Sequence, residues 1–182
     1  STTKQLAQML SDVLNISRAE LGKVKIEPQL VDLANFCELL VDEVQLAHQK
    51  TDIINFSIRG DYHSVWVDTK LLQHILTNLL SNAIKYSPRQ SKVTFDVRCE
   101  HGKALFRIQD RGIGITVDDQ QRLFEPFHRG ENARKIPGTG LGLCIVKKYV
   151  ELQGGEISLD SEEGVGTTVT VILPLNLQMP SC

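Results

Sequence analysis

The decapeptide NLLSNAIKYS, residues 78–87, sets two amides, Asn78 and Asn82, one helical turn apart among leucines and follows them with Lys85 and Tyr86. At about 3.6 residues per turn, Leu72, Ile75, Leu76, Leu79 and Ala83 fall on one apolar face of a helix, and His74, Asn78, Asn82 and Lys85 fall on another single stripe. Asp68 is a natural N-cap for this helix, which is expected to run to Tyr86 and to stop at Ser87-Pro88. Amides and a lysine on an amphipathic helix ordinarily face water. Here the solvated reading competes with three further segments that point to a phosphate-bearing ligand.

Working outward, the chain alternates between helical and strand patterns. Before the decapeptide, an amphipathic helix is expected from Leu6 to Leu21, closed by Gly22. It is followed by a polar connector, a short strand at 26–31, and a helix over 32–49 buried through Phe36, Leu39, Leu40, Val44 and Ala47. Two strands, 53–59 and 64–67, are expected on either side of a Gly60-Asp61 turn. After it, 92–100 and 103–110 alternate as strands joined at His101-Gly102, a hairpin signal. Residues 111–138 break the pattern, with one short helical stretch near 118–124, and an irregular segment of that length in a compact domain is functional or mobile. A helix over 141–153 ending at Gly154-Gly155 and strands at 156–161 and 167–173 close the domain. The mixed order predicts an α/β fold, a two-layer α+β sandwich with a mainly antiparallel sheet and helices on one face. Three regions are expected: residues 1–25 as a helix and connector, 26–175 as the main domain, and 176–182 as a tail.

The totals narrow the function. With 182 residues and 41% hydrophobic content the chain supports one well-buried domain. A net charge of −2 gives no bulk reason for nucleic-acid or anionic-membrane binding. The four cysteines form no C-x-x-C pair, so neither a zinc ribbon nor a disulfide framework is suggested and a reducing, cytoplasmic setting is expected. No apolar run approaches the roughly 20 residues of a membrane-spanning helix.

Three segments carry chemistry. In DRGIGI, residues 110–115, an acid at a strand end precedes glycines that let backbone pass close to a ligand, and Asp110 can accept hydrogen bonds from an amine. In GTGLGL, residues 138–143, alternate glycines before a helix allow N–H groups and the helix N-terminus to face phosphates. In FEPFHRGENARKIPG, residues 124–138, Phe124 and Phe127 are expected to anchor a loop carrying Arg129, Arg134 and Lys135, a basic lid able to neutralise developing charge. The P-loop signature and the H-R-D and D-F-G set of Ser/Thr/Tyr kinases are absent, and the glycine loop does not follow a predicted strand as a dinucleotide fingerprint does.

Taken in order, NLLSNAIKY, DRGIG, FEPF and GTGLGLCIVK resemble the N, first glycine, F and second glycine boxes of sensor histidine kinases, and the likeness continues through GGEISLDSEEGVGTTVTVILP. The resemblance implies the GHKL, or Bergerat, ATP-binding fold, with ATP and Mg2+ as ligands. It implies Asn82 as the magnesium ligand, Asn78 at the phosphate and metal end, and Lys85 and Tyr86 toward phosphates and the ribose or base. It places Asp110 on the exocyclic amine of adenine, Gly112 and Gly114 around it, and Gly138, Thr139, Gly140, Leu141 and Gly142 around the phosphates, with Phe127 and Arg134 from the lid. Asn78, Asn82 and Lys85 would do the catalytic work.

LSDVLNISRAELGKVKIEPQLVDL looks like the second helix of the dimerisation and phosphotransfer hairpin in that family, with its connector. The phosphoacceptor histidine belongs to the first helix, and none of the five histidines here has that context. His74 is expected to be a plain surface histidine. The helix at 6–21 is expected either to pack on an absent hairpin partner or to fold onto the main domain. Implied partners are ATP or ADP, the phosphoacceptor hairpin, a response regulator and a second copy in the parent protein. Related GHKL hydrolases hold a carboxylate where this chain has Asn78, and an amide cannot act as a general base, so transfer to a positioned nucleophile is favoured over hydrolysis. The alternatives are a nucleotide-dependent switch module and a GHKL ATPase.

Overall fold

A computed structural model describes residues 2–175; the expected tail at 176–182 lies outside the described residues. The helices are α1 (Thr2–Glu20), α2 (Leu33–Ala47), α3 (Thr69–Lys85), α4 (Val117–Arg122) and α5 (Gly142–Leu152). The strands are β1 (Gln29–Val31), β2 (Ile54–Gly60), β3 (Val65–Val67), β4 (Val93–Glu100), β5 (Lys103–Gln109), β6 (Glu156–Glu162) and β7 (Gly166–Pro174).

The main sheet has the order β2-β4-β5-β7-β6, parallel between β2 and β4 and antiparallel elsewhere. Alternation decides its faces: Val93, Phe95, Val97 and Cys99 of β4 are buried while Arg98 is exposed, and β5 repeats this with Ala104, Phe106 and Ile108. Helices α2, α3 and α5 cover the apolar face. The β4–β5 turn places both His101 and Gly102 at positive φ, as a two-residue hairpin requires. The two-layer α/β sandwich is the expected one.

Two details differ from the sequence reading, and the placement of α1 follows one of its two alternatives. Gly60-Asp61 does not join a hairpin: β3 leaves the main sheet and pairs antiparallel with β1. In α2, Leu39 is 66% exposed and Ala47 is exposed, while Leu33, Cys37 and Val41 are buried beside Leu40 and Val44. The true stripe lies about one position around the helix, because α2 is oriented by both β2 and α3. Helix α1, finally, lies along α5, with Ala19 buried and Ile16 against the core. Its other face leaves Leu6, Leu10, Val13 and Leu14 exposed. One face of α1 is thus folded onto the domain and another remains open.

Asp68 ties these parts together. Its Oδ1 caps α3 by accepting the Leu71 N–H at 3.0 Å, and its Oδ2 accepts the Glu27 N–H at 2.8 Å, so the connector after α1 is anchored at the start of the site helix. Cys37, Cys99 and Cys144 are buried free thiols. Burial pushes Cys37 up to about 12 and Cys99 up to about 11, so both are unreactive at neutral pH.

Candidate functional site

The eight apolar residues of α3 from Leu71 to Ile84 are buried and pack inward, which turns His74, Asn78, Asn82 and Lys85 toward a cavity of about 710 Å³. None of the four is fully exposed; each is half-buried. The cavity is closed by the loop after β5, the lid, and the glycine loop before α5. Of the residues expected in the site, Asn78, Asn82, Lys85, Tyr86, Asp110, Gly114, Gly138, Thr139, Gly140 and Gly142 line it.

Asn78 donates its Nδ2–H to the His74 carbonyl at 2.9 Å. A Cβ built on Gly142 would lie 2.8 Å from Asn78 Oδ1, so the glycine lets the start of α5 close on the N-box amide. Lys85 lies beside the other end of the same loop, its Nζ 2.9 Å from where a Gly138 Cβ would be, and 5.0 Å over the Tyr86 ring. Burial first, and then the Arg129 charge, hold the Lys85 pKa below its ordinary value.

At the opposite end, Asp110 Oδ1 accepts the Gly112 N–H at 2.8 Å and the Thr167 N–H at 3.2 Å. Both bonds fall on one oxygen, so Oδ2 is uncommitted among the described residues. Burial raises the Asp110 pKa, with the Gly112 and Thr167 N–H groups opposing it. Ile108, Ile113, Leu159 and Val169 line the cavity near this acid and give it an apolar wall suited to a flat aromatic ring.

Five residues are placed differently from the sequence expectation. Phe127 does not anchor the lid: it is 62% exposed at φ +63°, held through its N–H to the Gly140 carbonyl at 3.0 Å, because the chain reverses there toward the glycine loop. Arg134 points away, with its side chain 71% exposed and 3.7 Å from Glu131, and both Phe127 and Arg134 line a separate hollow with Asp118 and Arg122. Leu141 is fully buried as a core residue, and Gly112 acts from behind the cavity wall through its bond to Asp110. His74 is not a surface histidine: its Nε2 is buried without a partner among the described residues, its ring meets Tyr149 edge-on at 5.1 Å, and burial lowers its pKa while Asp12 pulls it up.

Other cavity residues had weak sequence signals or none. Arg129 stood among the lid cations, but nothing marked it as the one whose side chain lines the cavity. Asp12 of α1 is 5% exposed, accepts from Gln8 at 2.8 Å and from Thr139 Oγ1 at 3.1 Å, and brings a carboxylate to the glycine loop before α5. The contact joins residues 127 apart in sequence.

Residues 67–177 match the family model described as histidine kinase-, DNA gyrase B- and HSP90-like ATPase. The chain is 35% identical over 178 residues to the sensor histidine kinase WalK of Bacillus subtilis, covering 94% of this chain and 29% of WalK. It is 32% identical over 177 residues to the histidine protein kinase DivJ of Caulobacter vibrioides, with 94% and 29% covered. It therefore spans under a third of these relatives. Among solved structures, full-length ShkA in complex with AMPPNP is similar with a TM-score of 0.79 at 25% identity, over 93% of this chain and 35% of that one. The Acinetobacter baumannii histidine kinase AdeS shares the fold with a TM-score of 0.73 at 22% identity, over 96% and 80% of the two chains. The chain belongs to the histidine kinase-, DNA gyrase B- and HSP90-like ATPase family and is an ATP-binding catalytic domain of the sensor histidine kinase type.

Proposed function

We propose that this domain positions ATP for transfer of its γ-phosphoryl group to a histidine on a hairpin of the parent protein. The adenine amine donates to Asp110 Oδ2, the base lies on the wall of Ile108, Ile113, Leu159 and Val169, and Lys85, Arg129 and the N–H groups of Gly138, Gly140 and Gly142 face the phosphates. Tyr86 covers the ribose or base. The β,γ P–O bond breaks as the lone-pair nitrogen of the acceptor imidazole bonds to phosphorus, ADP leaves, and the proton on the other imidazole nitrogen passes to water. Positioning and charge neutralisation supply the catalysis.

Magnesium fits the donor set, since Asn82 offers a hard amide oxygen on the cavity-lining stripe beside Asn78. When bound it would supply positive charge to offset that of the phosphates. Asn82 would hold it, with Asn78 supporting the same end.

The observation that carries transfer over hydrolysis is the amide at Asn78, whose Nδ2–H is committed to the His74 carbonyl. A carboxylate there could not donate that bond, and an amide cannot take a proton from water. Mixing the chain with labelled ATP and a separately made hairpin is expected to give acid-labile label on the hairpin histidine and none on this chain. Label on a histidine of this chain, or steady ATP turnover by the chain alone, would favour another reading. Replacing Asn78 by aspartate, which loses the bond to the His74 carbonyl, is expected to weaken ATP binding about fivefold, the usual cost of one hydrogen bond, as read by calorimetric titration.

The exposed Leu6, Leu10, Val13 and Leu14 of α1 supply an apolar face on which the other hairpin helix would pack, supporting a homodimeric parent. A response regulator as the next phosphoryl acceptor and a cytoplasmic setting belong to the same proposal; no helix among the described residues is long and apolar enough to cross a membrane.

A further inference from the structure

One carboxylate holds both sides of the lid arginine. Asp119, on α4, is 8% exposed. Its Oδ1 lies 3.1 Å from His128 Nε2, and its Oδ2 accepts the Thr116 hydroxyl at 2.9 Å and the Glu131 N–H at 3.2 Å. A carboxylate can only accept, so His128 Nε2 carries a hydrogen in this arrangement. Asp119 itself is fixed, because its own N–H donates to Thr116 Oγ1 at 3.2 Å in the α4 cap.

Arg129 sits between the two tethered points. Its Nη2 donates to the carbonyls of Ala133 at 2.9 Å and Ile136, curling the lid around the guanidinium. Its Nε is buried with no partner among the described residues, and the side chain lines the nucleotide cavity. The backbone on either side of Arg129 therefore takes its place from a residue that does not itself reach Lys85 or the glycine loop.

We propose that Asp119 is a positioning residue for phosphate binding: through His128 Nε2 and the Glu131 N–H it fixes the lid on both sides of Arg129 and so aims the guanidinium at the Lys85 end of the cavity. This rests on the reading of the cavity as an ATP site with Arg129 facing the phosphates. Hydrogen bonds to a buried carboxylate are strong enough to order a segment otherwise rich in exposed charge. Residues acting through one another are non-additive, which separates this role from general support of the fold.

The test is calorimetric titration of the whole chain with ATP and with adenosine. Arg129→Ala and Asp119→Ala are each expected to weaken ATP binding about tenfold and adenosine binding less than about twofold, and the double variant is expected to be no weaker than Arg129→Ala alone. His128→Phe, which removes one tether at similar volume, is expected to give a smaller ATP-selective loss of about threefold and covers the case in which Asp119→Ala does not fold. If Arg129→Ala leaves ATP affinity unchanged, the lid-cation reading of the site falls. If it weakens ATP but Asp119→Ala or His128→Phe does not, or does so additively or equally for adenosine, the positioning role falls and the site reading stands.

Discussion

Asp110→Asn is expected to weaken ATP and ADP binding by about a hundredfold while leaving the nucleotide-free protein at least as stable at neutral pH. The magnitude follows from losing a hydrogen bond to a charged acceptor, about 1.5–3 kcal/mol, together with a mismatched donor. The mismatch is imposed by the backbone: Gly112 and Thr167 both donate to the oxygen at Oδ1, so an asparagine must keep its own oxygen there and turn its NH2 toward the adenine amine. The stability expectation has the opposite origin. Burial raises the Asp110 pKa, so the folded domain binds that proton more tightly than the unfolded chain does. Its contribution to stability is present at low pH and lost as pH rises through the raised value, and a neutral amide removes that penalty. Nucleotide affinity must run the other way, falling on acidification through a pH above the ordinary aspartate range as the acceptor is protonated. Titrations across pH with thermal unfolding in parallel check both; equal affinity in the variant would remove Asp110 from the site.

The second large effect is expected at Gly114. It holds φ +64°, and a Cβ there would lie 2.0 Å from the Glu162 carbonyl oxygen and 2.8 Å from the Glu163 Cα, both main-chain atoms that cannot swing aside. The same residue offers its carbonyl to Asn132 Nδ2 at 3.1 Å, so displacement would also disturb the lid. Gly114→Ala is expected to cost about 3 kcal/mol, lowering the unfolding midpoint by about 6–12 °C, with nucleotide binding lost. Gly154→Ala is the control: φ is +71° but nothing lies within 4 Å, so only the left-handed strain of about 1–2 kcal/mol applies and nucleotide binding should persist. Similar losses of stability and binding in both variants would refute the close-approach argument.

Much of this site was legible locally. The α3 stripe could be read because eight apolar residues at helical spacing leave one consistent polar line, and the Asp68 cap and Ser87-Pro88 stop bound the helix. The β4–β5 hairpin was legible because strict alternation meets a turn pair that accepts positive φ. Leu39 and Phe127 differ from the local reading for separate reasons. Periodicity says which side chains favour burial, but not which of two neighbouring apolar stripes the tertiary neighbours will take, and α2 has two. Phe127 occupies a reversal whose geometry is imposed by the Gly140 carbonyl.

By itself the sequence determined the two-layer class, the amide pair Asn78 and Asn82 on one helical stripe, and the glycine loop that lets backbone come close before α5, since each follows from local pattern along the chain. The tertiary structure alone decided which oxygen of Asp110 is left for a ligand, which lid cation reaches the cavity, and that Asp12 of α1 meets Thr139. These outcomes depend on partners 57 and 127 residues away for Asp110 and Asp12, where chain geometry rather than local pattern sets the contact. For Arg129 the deciding neighbour is Asp119, nearby in sequence but on a separate helix, and only the folded lid brings that carboxylate to both sides of the arginine.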